Sequence, residues 1–290
     1  MATSSPGARA PIAILTDFGY CDHYAGVMKG VIASISPQAP IIDLTHGIPP
    51  QQVLAGALVL RESVNFFPHR TIFLGVVDPG VGTDRKPIAV ETKSGFRLVG
   101  PDNGLLWLAA ERAEIKRIVE LRSPRYRLPK VSASFHGRDI FAPAAAWLWR
   151  GVPMGEFGPP LQTMTQLEPS RVVETQNELY GKVIYIDGFG NLITNISRTT
   201  FERFARRFQQ CRLSIRIKER APTVTLMRKG LKIALYAAYA EALPGAPLAI
   251  FGSFDLLEIA VREGNAARHF NAALGAPVLI HTTGSRTTSR

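Results

Sequence analysis

The run Ile72-Phe73-Leu74-Gly75-Val76-Val77 is apolar throughout and gives way at once to Asp78-Pro79-Gly80-Val81-Gly82-Thr83-Asp84-Arg85. A short apolar stretch bounded by turn residues reads as a buried strand. Open α/β sheets bind ligands outside the carboxyl ends of their strands, so Asp78 stands where such a sheet places its chemistry. Gly80 and Gly82 permit backbone conformations and close approaches that other residues do not. Arg85 follows in the same loop and is a natural ion-pair partner for Asp78. A structural turn with a surface salt bridge is the plainer alternative.

The surroundings of that run decide the fold class. Pro11 to Leu15 is a short strand running into Thr16-Asp17-Phe18-Gly19, and a helix is expected from about His23 to Ile35, ended by Ser36-Pro37. Ile41 to Thr45 is the next strand. Gln51 to about Asn65 has helical spacing, with Val53, Leu54, Ala57, Leu58 and Leu60 on one apolar face. After the strand at Thr71 to Val77 come strand-like runs at Pro87 to Val90 and Phe96 to Val99, then a helix near Asn103 to Ala113. This alternation predicts an α/β N-terminal domain over 10–152, with a mostly parallel sheet and helices on its faces. Pro153, Gly155, Gly158, Pro159, Pro160 and Pro169 interrupt the pattern, so a linker is expected over 153–178. Strands then dominate: Gly181 to Ile186, Arg212 to Lys218, a run around Val224 and Leu226, and Leu248 to Phe251. A smaller β-rich C-terminal domain over 179–280 and a disordered tail over 281–290 are the expectation.

Composition narrows the classes of function. The first ten residues are small and polar and lack the apolar core of a secretory signal. No run approaches the roughly 18 apolar residues of a membrane span, so no membrane association is expected. Cys21 and Cys211 are far apart and in no metal spacing, which fits a reducing cytoplasm and predicts neither a disulfide framework nor a metal site. The net charge of +11 suggests nucleic acid, but nine basic and only two acidic side chains between Phe201 and Gly230 account for most of the excess. There Leu213, Ile215 and Ile217 alternate with Arg212, Ser214, Arg216 and Lys218, as on a half-buried strand with a solvated basic face. No zinc-finger or RNA-binding signature accompanies the charge, and nucleic acid is not the expected partner.

Apart from the Asp78–Arg85 loop, four segments carry side chains suited to chemistry or recognition. Asp17 and Asp22 flank a glycine turn directly after the first strand. A carboxylate there can accept both hydroxyls of a ribose; helix capping is the alternative, and Asp22 suits the cap better. His136, in Ser134-Phe135-His136-Gly137-Arg138-Asp139, is a candidate base held by charged neighbours. Asp187-Gly188-Phe189-Gly190-Asn191 follows the first strand of the second domain and offers amides and a ring to a purine. Gly252-Ser253-Phe254-Asp255-Leu256-Leu257-Glu258 is a similar strand-end turn. Each alone is also compatible with a simple turn.

Together and in this order, these segments resemble the S-adenosylmethionine (SAM) hydrolases, or SAM hydroxide adenosyltransferases, relatives of the fluorinase and chlorinase enzymes. The resemblance runs through Leu15 to Gly19 with Asp22, Tyr24, Gly26, Met28, Lys29 and Gly30, then Ile42 to His46, Val76 to Arg85, Gly100 to Gly104 and Phe135 to Pro143. It resumes at Asp187 to Ile196 and Leu257 to Val261 with Gly264, Asn265 and Ala266. It implies an α/β domain followed by a smaller β-barrel-like domain, no cofactor, and a homotrimer with active sites between subunits. It implies a catalytic set of Asp78, Arg85 and His136 that activates water to attack the ribose C5′ of SAM, releasing adenosine and methionine, with the (R)-sulfonium epimer preferred. By the same resemblance Asp17 holds the ribose hydroxyls, Asp22 belongs to the same binding loop, Phe189 and Asn191 contact adenine, and Ser253 and Glu258 touch the methionine end or adenine.

The halogenating relatives lack the catalytic set, and the fluorinase carries an insertion after the stretch matching Arg85. Here that stretch runs directly into Lys86 to Val90, and Asp78 would repel a halide. Departures from the family pattern are Gly188 where arginine is frequent, Gln51-Gln52 where an aspartate is common, and Ser134 in place of a threonine. A halogenase of the same fold, or a non-catalytic adenosine- or nucleic-acid-binding protein, is the alternative reading.

Overall fold

A computed structural model describes residues 10–207, 213–217 and 233–282. The chain divides into two compact units, Met1–Leu167 and Glu168–Arg290.

The first unit carries a seven-stranded sheet in the order β2-β1-β3-β5-β4-β6-β7. In chain order its elements are β1 (Ile12–Thr16), α1 (Tyr24–Ile35), β2 (Ile41–Thr45), α2 (Val53–Ser63), β3 (Ile72–Val76), β4 (Pro87–Thr92), β5 (Arg97–Pro101), α3 (Trp107–Arg112), β6 (Ile115–Glu120), α4 (Ala142–Trp149) and β7 (Pro160–Leu161). The pairs β2-β1, β1-β3 and β3-β5 are parallel, while β4, β6 and β7 continue the sheet antiparallel. Every residue of β1 and β3 is buried. Ile12, Ile14, Ile72 and Leu74 pack with Met28 and Ile32 of α1 and with Ala145 and Leu148 of α4. On the other face Gly75 lies against Leu60, Leu105 and Leu106, so close that a Cβ there would come within 3.2 Å of Leu105. Cover on both faces is why these strands read as unbroken apolar runs rather than as alternation.

Two expectations need adjusting in this unit. The helix foreseen from Asn103 to Ala113 begins only at Trp107. Asn103 Nδ2 donates instead to Val77 O at 2.9 Å, its Oδ1 accepts from Leu105 N at 3.1 Å, and Gly104 sits at φ +94. The segment over 153–178 is also more structured than the spacing of its prolines suggests. Met154 and Phe157 are buried in the first core, Pro160–Leu161 pair with β6, and the boundary between the units falls after Leu167.

The second unit is an eight-stranded, mainly antiparallel sheet. Its elements are β8 (Val173–Glu174), β9 (Glu178–Ile186), β10 (Leu192–Ser197), α5 (Arg198–Ala205), β11 (Leu213–Ile217), β12 (Ala234–Leu235), β13 (Pro247–Phe251), β14 (Leu256–Val261), α6 (Ala266–His269) and β15 (Pro277–Thr282). The strand order is β11-β15-β9-β10-β14-β13-β12, with β8 also on β9, and the ladder does not close among the described residues. β9 pairs with β15 through Glu178–Lys182 and with β10 from Val183 onward. Gly181 lies at that changeover, where a Cβ would meet Ile196 Cγ1 at 2.5 Å. β15 continues through His281 and Thr282, so the first two residues of the expected tail are paired with β11. The run around Val224 and Leu226, and most of the basic segment with Cys211, lie outside the described residues.

Candidate active site

Asp17 directly follows β1, and Asp78 follows Val77 just past the end of β3. These strands are neighbours, and the chain leaves them in opposite directions: β2 lies beyond β1, while β4 and β5 lie beyond β3. A crevice opens at such a switch point because adjacent loops diverge. Both aspartates stand at its edge.

Arg85 returns to Asp78. Its Nε donates to Asp78 Oδ1 at 2.8 Å and Oδ2 at 3.0 Å, and its Nη2 donates to Oδ2 as well. The Arg85 and Asp78 side chains are 8% and 6% exposed, so this is a buried pair rather than the surface bridge of the plainer reading. The same Nη2 lies 3.0 Å from His136 Nδ1, and the Arg85 guanidinium stacks 5.2 Å from the Phe141 ring. Asp78, Arg85 and His136 are therefore brought together, with His136 lying 51 positions beyond Arg85.

A guanidinium has no acceptor, so His136 Nδ1 must accept from Arg85 and the ring proton resides on Nε2. Burial chiefly, and then the Arg85 charge, hold the His136 pKa below its ordinary value, which keeps the neutral tautomer the contact requires.

Local backbone chemistry sets this geometry. Gly82 has φ +81, and a Cβ there would stand 2.6 Å from Ala133 O. The Asp78 loop thus rests on the backbone that leads into His136. His136 opens a single π-helical turn, Gly137–Phe141, ahead of α4; such turns recur at functional sites because they reset which side chains share a face. Buried Asp139 ties the approach, accepting from Arg138 Nε at 2.6 Å and Ser132 N at 2.8 Å. Burial pushes the Asp139 carboxyl up, but Arg138 and Ser132 outweigh it and the net shift is downward.

Asp17 is half-buried, and its Oδ2 accepts from Gln51 N at 2.8 Å. Gln51 holds φ +65 to present that N–H, an uncommon conformation for a non-glycine residue. Burial is the main reason the Asp17 pKa is raised, with the nearby Asp78 charge adding to it against the Gln51 bond. Phe18, Tyr24 and Phe135 form a mutual aromatic cluster, with centroids 5.2 to 5.9 Å apart, next to Asp17 and His136 in sequence. Asp22 corrects an expectation: it is exposed, α1 starts at Tyr24 with His23 at its cap, and no side chain caps the helix.

In the second unit Asp187 organises two of the remaining candidates, Phe189 and Asn191. Its Oδ1 accepts from Phe189 N at 3.0 Å and Asn191 N at 2.8 Å, and its Oδ2 accepts from Asn191 Nδ2 at 3.0 Å. The turn leaves Phe189 79% exposed while Asn191 is buried. Gly190 is required there: it has φ +86, and a Cβ would collide with the Asn265 side chain at 2.1 Å. Buried Glu258 accepts from Tyr239 Oη. Burial raises the Glu258 pKa, with Asp187 adding to it, and burial with the Glu258 bond pushes Tyr239 up. Ser253 is exposed. Sequence reasoning did not single out Gln51, Asp187 or Tyr239 as site residues; only the appearance of Gln51 as a departure hinted at its place. Among the described residues no group of three or more His, Cys, Asp or Glu could hold a metal ion, and no helix is long and apolar enough to cross a membrane.

Residues 12–158 match the SAM hydroxide adenosyltransferase N-terminal domain and residues 181–279 its C-terminal domain. The chain is 36% identical over 280 residues to the (R)-S-adenosyl-L-methionine hydrolase of Thermus thermophilus, covering 93% of this chain and 99% of that relative. A fluorinase from Nocardia brasiliensis is more distant, at 28% identity over 229 residues, 69% of this chain and 76% of that enzyme. Among solved structures, an uncharacterized conserved protein from Thermotoga maritima superposes with a TM-score of 0.82 at 36% identity, over 93% of this chain and 99% of that one. The chain belongs to the SAM hydroxide adenosyltransferase family.

Proposed function

We propose, from that membership, that the protein hydrolyses S-adenosyl-L-methionine, in its (R)-sulfonium form, to adenosine and L-methionine. The observation that carries the reading is the buried Asp78–Arg85 pair bound to half-buried His136 at the switch point of the sheet, beside Asp17. A sulfonium departs as a neutral thioether, so the site needs a placed water and a proton acceptor but no acid. Water oxygen bonds to C5′ as the C5′–S bond breaks, and the electron pair of that bond stays on sulfur. One water proton remains on the new hydroxyl and the other leaves.

Asp78 is the acceptor in this reading. His136 Nδ1 is occupied by Arg85, and its Nε2–H donates to the water and orients it. Arg85 holds the carboxylate and the imidazole in one geometry, which fixes the water for in-line attack. Asp17 takes the ribose hydroxyls, with Asp22 adding negative charge on the same loop. Phe189 stacks on adenine and Asn191 hydrogen-bonds it, while Ser253 and Glu258 serve the methionine end or the base. The working form is a homotrimer in which the second unit of one subunit completes the site on the first unit of its neighbour, each second unit adopting a barrel-like shape. A reducing cytoplasm is the compartment that cysteine usage supports.

Incubation with each sulfonium epimer separately, followed by chromatography, tests the activity. Adenosine and methionine in equal amounts, faster from the (R) epimer, are expected. Halo-adenosine formed in chloride or fluoride at the expense of adenosine would overturn the reading in favour of a halogenase.

A further inference from the structure

We infer that His46 is a positioning residue for Asp17, acting through the hydroxyl of Thr16; this rests on the reading of Asp17 as the ribose ligand. His46 is completely buried at the end of β2 and takes no part in the catalytic set. Its Nδ1 lies 2.8 Å from Thr16 Oγ1, the last residue of β1. That oxygen also accepts from Phe18 N at 3.2 Å, so it bridges the residues on either side of Asp17. The Asp43 carboxylate, 3.2 Å from Nε2, favours the tautomer with its proton on Nε2, so Nδ1 accepts from the Thr16 hydroxyl.

Nε2 faces Asp43 Oδ1 at 3.2 Å. Among the described residues no acceptor meets the geometry of a hydrogen bond to this N–H, so the contact is electrostatic and weaker than the bond to Thr16. Lys29 Nζ, 2.6 Å from the other oxygen of Asp43, neutralises the far end. The backbone of His46 completes the clamp, since its carbonyl accepts from Gly19 N at 2.8 Å. The turn that presents Asp17 is thus fastened before and after the carboxylate to one buried histidine. Gln51 N then fixes the carboxylate itself. A bland buried histidine would satisfy its nitrogens anywhere; this one spends its ring and its carbonyl on the turn that holds the proposed ribose ligand.

The test measures discrimination rather than activity alone. Binding of adenosine and of 2′,3′-dideoxyadenosine is compared by calorimetry on the whole protein, in wild type and in Asp17→Asn, Thr16→Val, Thr16→Ser and His46→Leu. Wild type should prefer adenosine, and Asp17→Asn should bring the ratio close to one. Thr16→Val and His46→Leu should cut it roughly tenfold, the scale of one misplaced hydrogen bond to a charged group, and raise KM more than they lower kcat. Thr16→Ser, which keeps the hydroxyl, should restore the ratio. If His46→Leu does not fold, Thr16→Val decides alone. A wild-type ratio in folded Thr16→Val, with the ratio lost in Asp17→Asn, overturns the positioning role. A wild-type ratio in Asp17→Asn removes the ribose assignment itself, and the inference falls with it.

Discussion

The first unit builds its candidate groups across distance, and the second builds them within a turn. Asp17, the Asp78–Arg85 pair and His136 come from three separate loops, held by the contacts of Arg85 with Asp78 and His136, by Gln51 N on Asp17 and by the close rest of Gly82 on Ala133. Asp187, Phe189 and Asn191 lie within five residues, and Asp187 alone organises them. Long-range, buried charge contacts suit a place where bonds change, because fixed dipoles do not reorganise during the reaction. A short turn with an exposed ring suits recognition, where a flat face needs only to be presented. The contrast predicts that substitutions in the Asp78–Arg85–His136 set damage kcat and those in the Asp187 turn damage KM.

The largest effect should come from Asp78→Ala. Adenosine formation is lost, and the buried Arg85 is left uncompensated at a cost of about 3–5 kcal/mol, read as a lowered melting temperature. Next, His136→Ala and Arg85→Ala should each lower kcat by roughly two to four orders of magnitude with smaller changes in KM. Near-wild-type turnover in either would break the assignment of the first unit to chemistry. Phe189→Ala should raise KM by roughly 10–100-fold, the worth of about 1–3 kcal/mol of stacking, and leave kcat within a fewfold. A kcat loss as large as that of His136→Ala would erase the distinction between the units.

The smallest effect concerns stability and pH. Asp17 binds its proton more tightly folded than unfolded, so its ionisation costs the fold stability as pH rises through the folded value. Asp17→Asn should therefore melt no lower than wild type at neutral pH, and the difference should vanish well below pH 3.8, even though substrate binding weakens. For activity, the lowered His136 pKa keeps the imidazole neutral below 6.5, its ordinary value. The acid limb of kcat should accordingly fall below 6.5. A limb above that value would mean that His136 is held protonated, and the tautomer that Arg85 imposes would be wrong.

Much of this was legible in the sequence because strand and ligand loop are contiguous. The β1–Asp17 and β3–Asp78–Arg85 junctions read directly from an apolar run ending in a carboxylate. His136 is 51 positions from Arg85, and only resemblance joined them. Gln51 contributes a backbone N–H, which every residue but proline possesses, so no choice of side chain announced it. The sequence suggests Asp22 as a cap because helix onset varies by a residue or two, and in the structure the turn runs on to His23. The pattern overextends the helix after Asn103 because its apolar residues keep helical spacing while Asn103 and Gly104 divert the backbone until Trp107. The proline-rich stretch after Pro153 hid Met154 and Phe157, two apolar anchors buried in the first core.

The rest of Gly82 on the Ala133 carbonyl makes the arc from Asp78 to Arg85 behave as a caliper of fixed span. Lengthening it by one residue would carry the guanidinium past both of its partners, and shortening it would lift the arc off its rest. A change of length should therefore be tolerated only beyond Arg85, and a change of residue type most readily at the exposed rim of the arc, Pro79 and Asp84. Variation among descendants of this chain should collect at that rim.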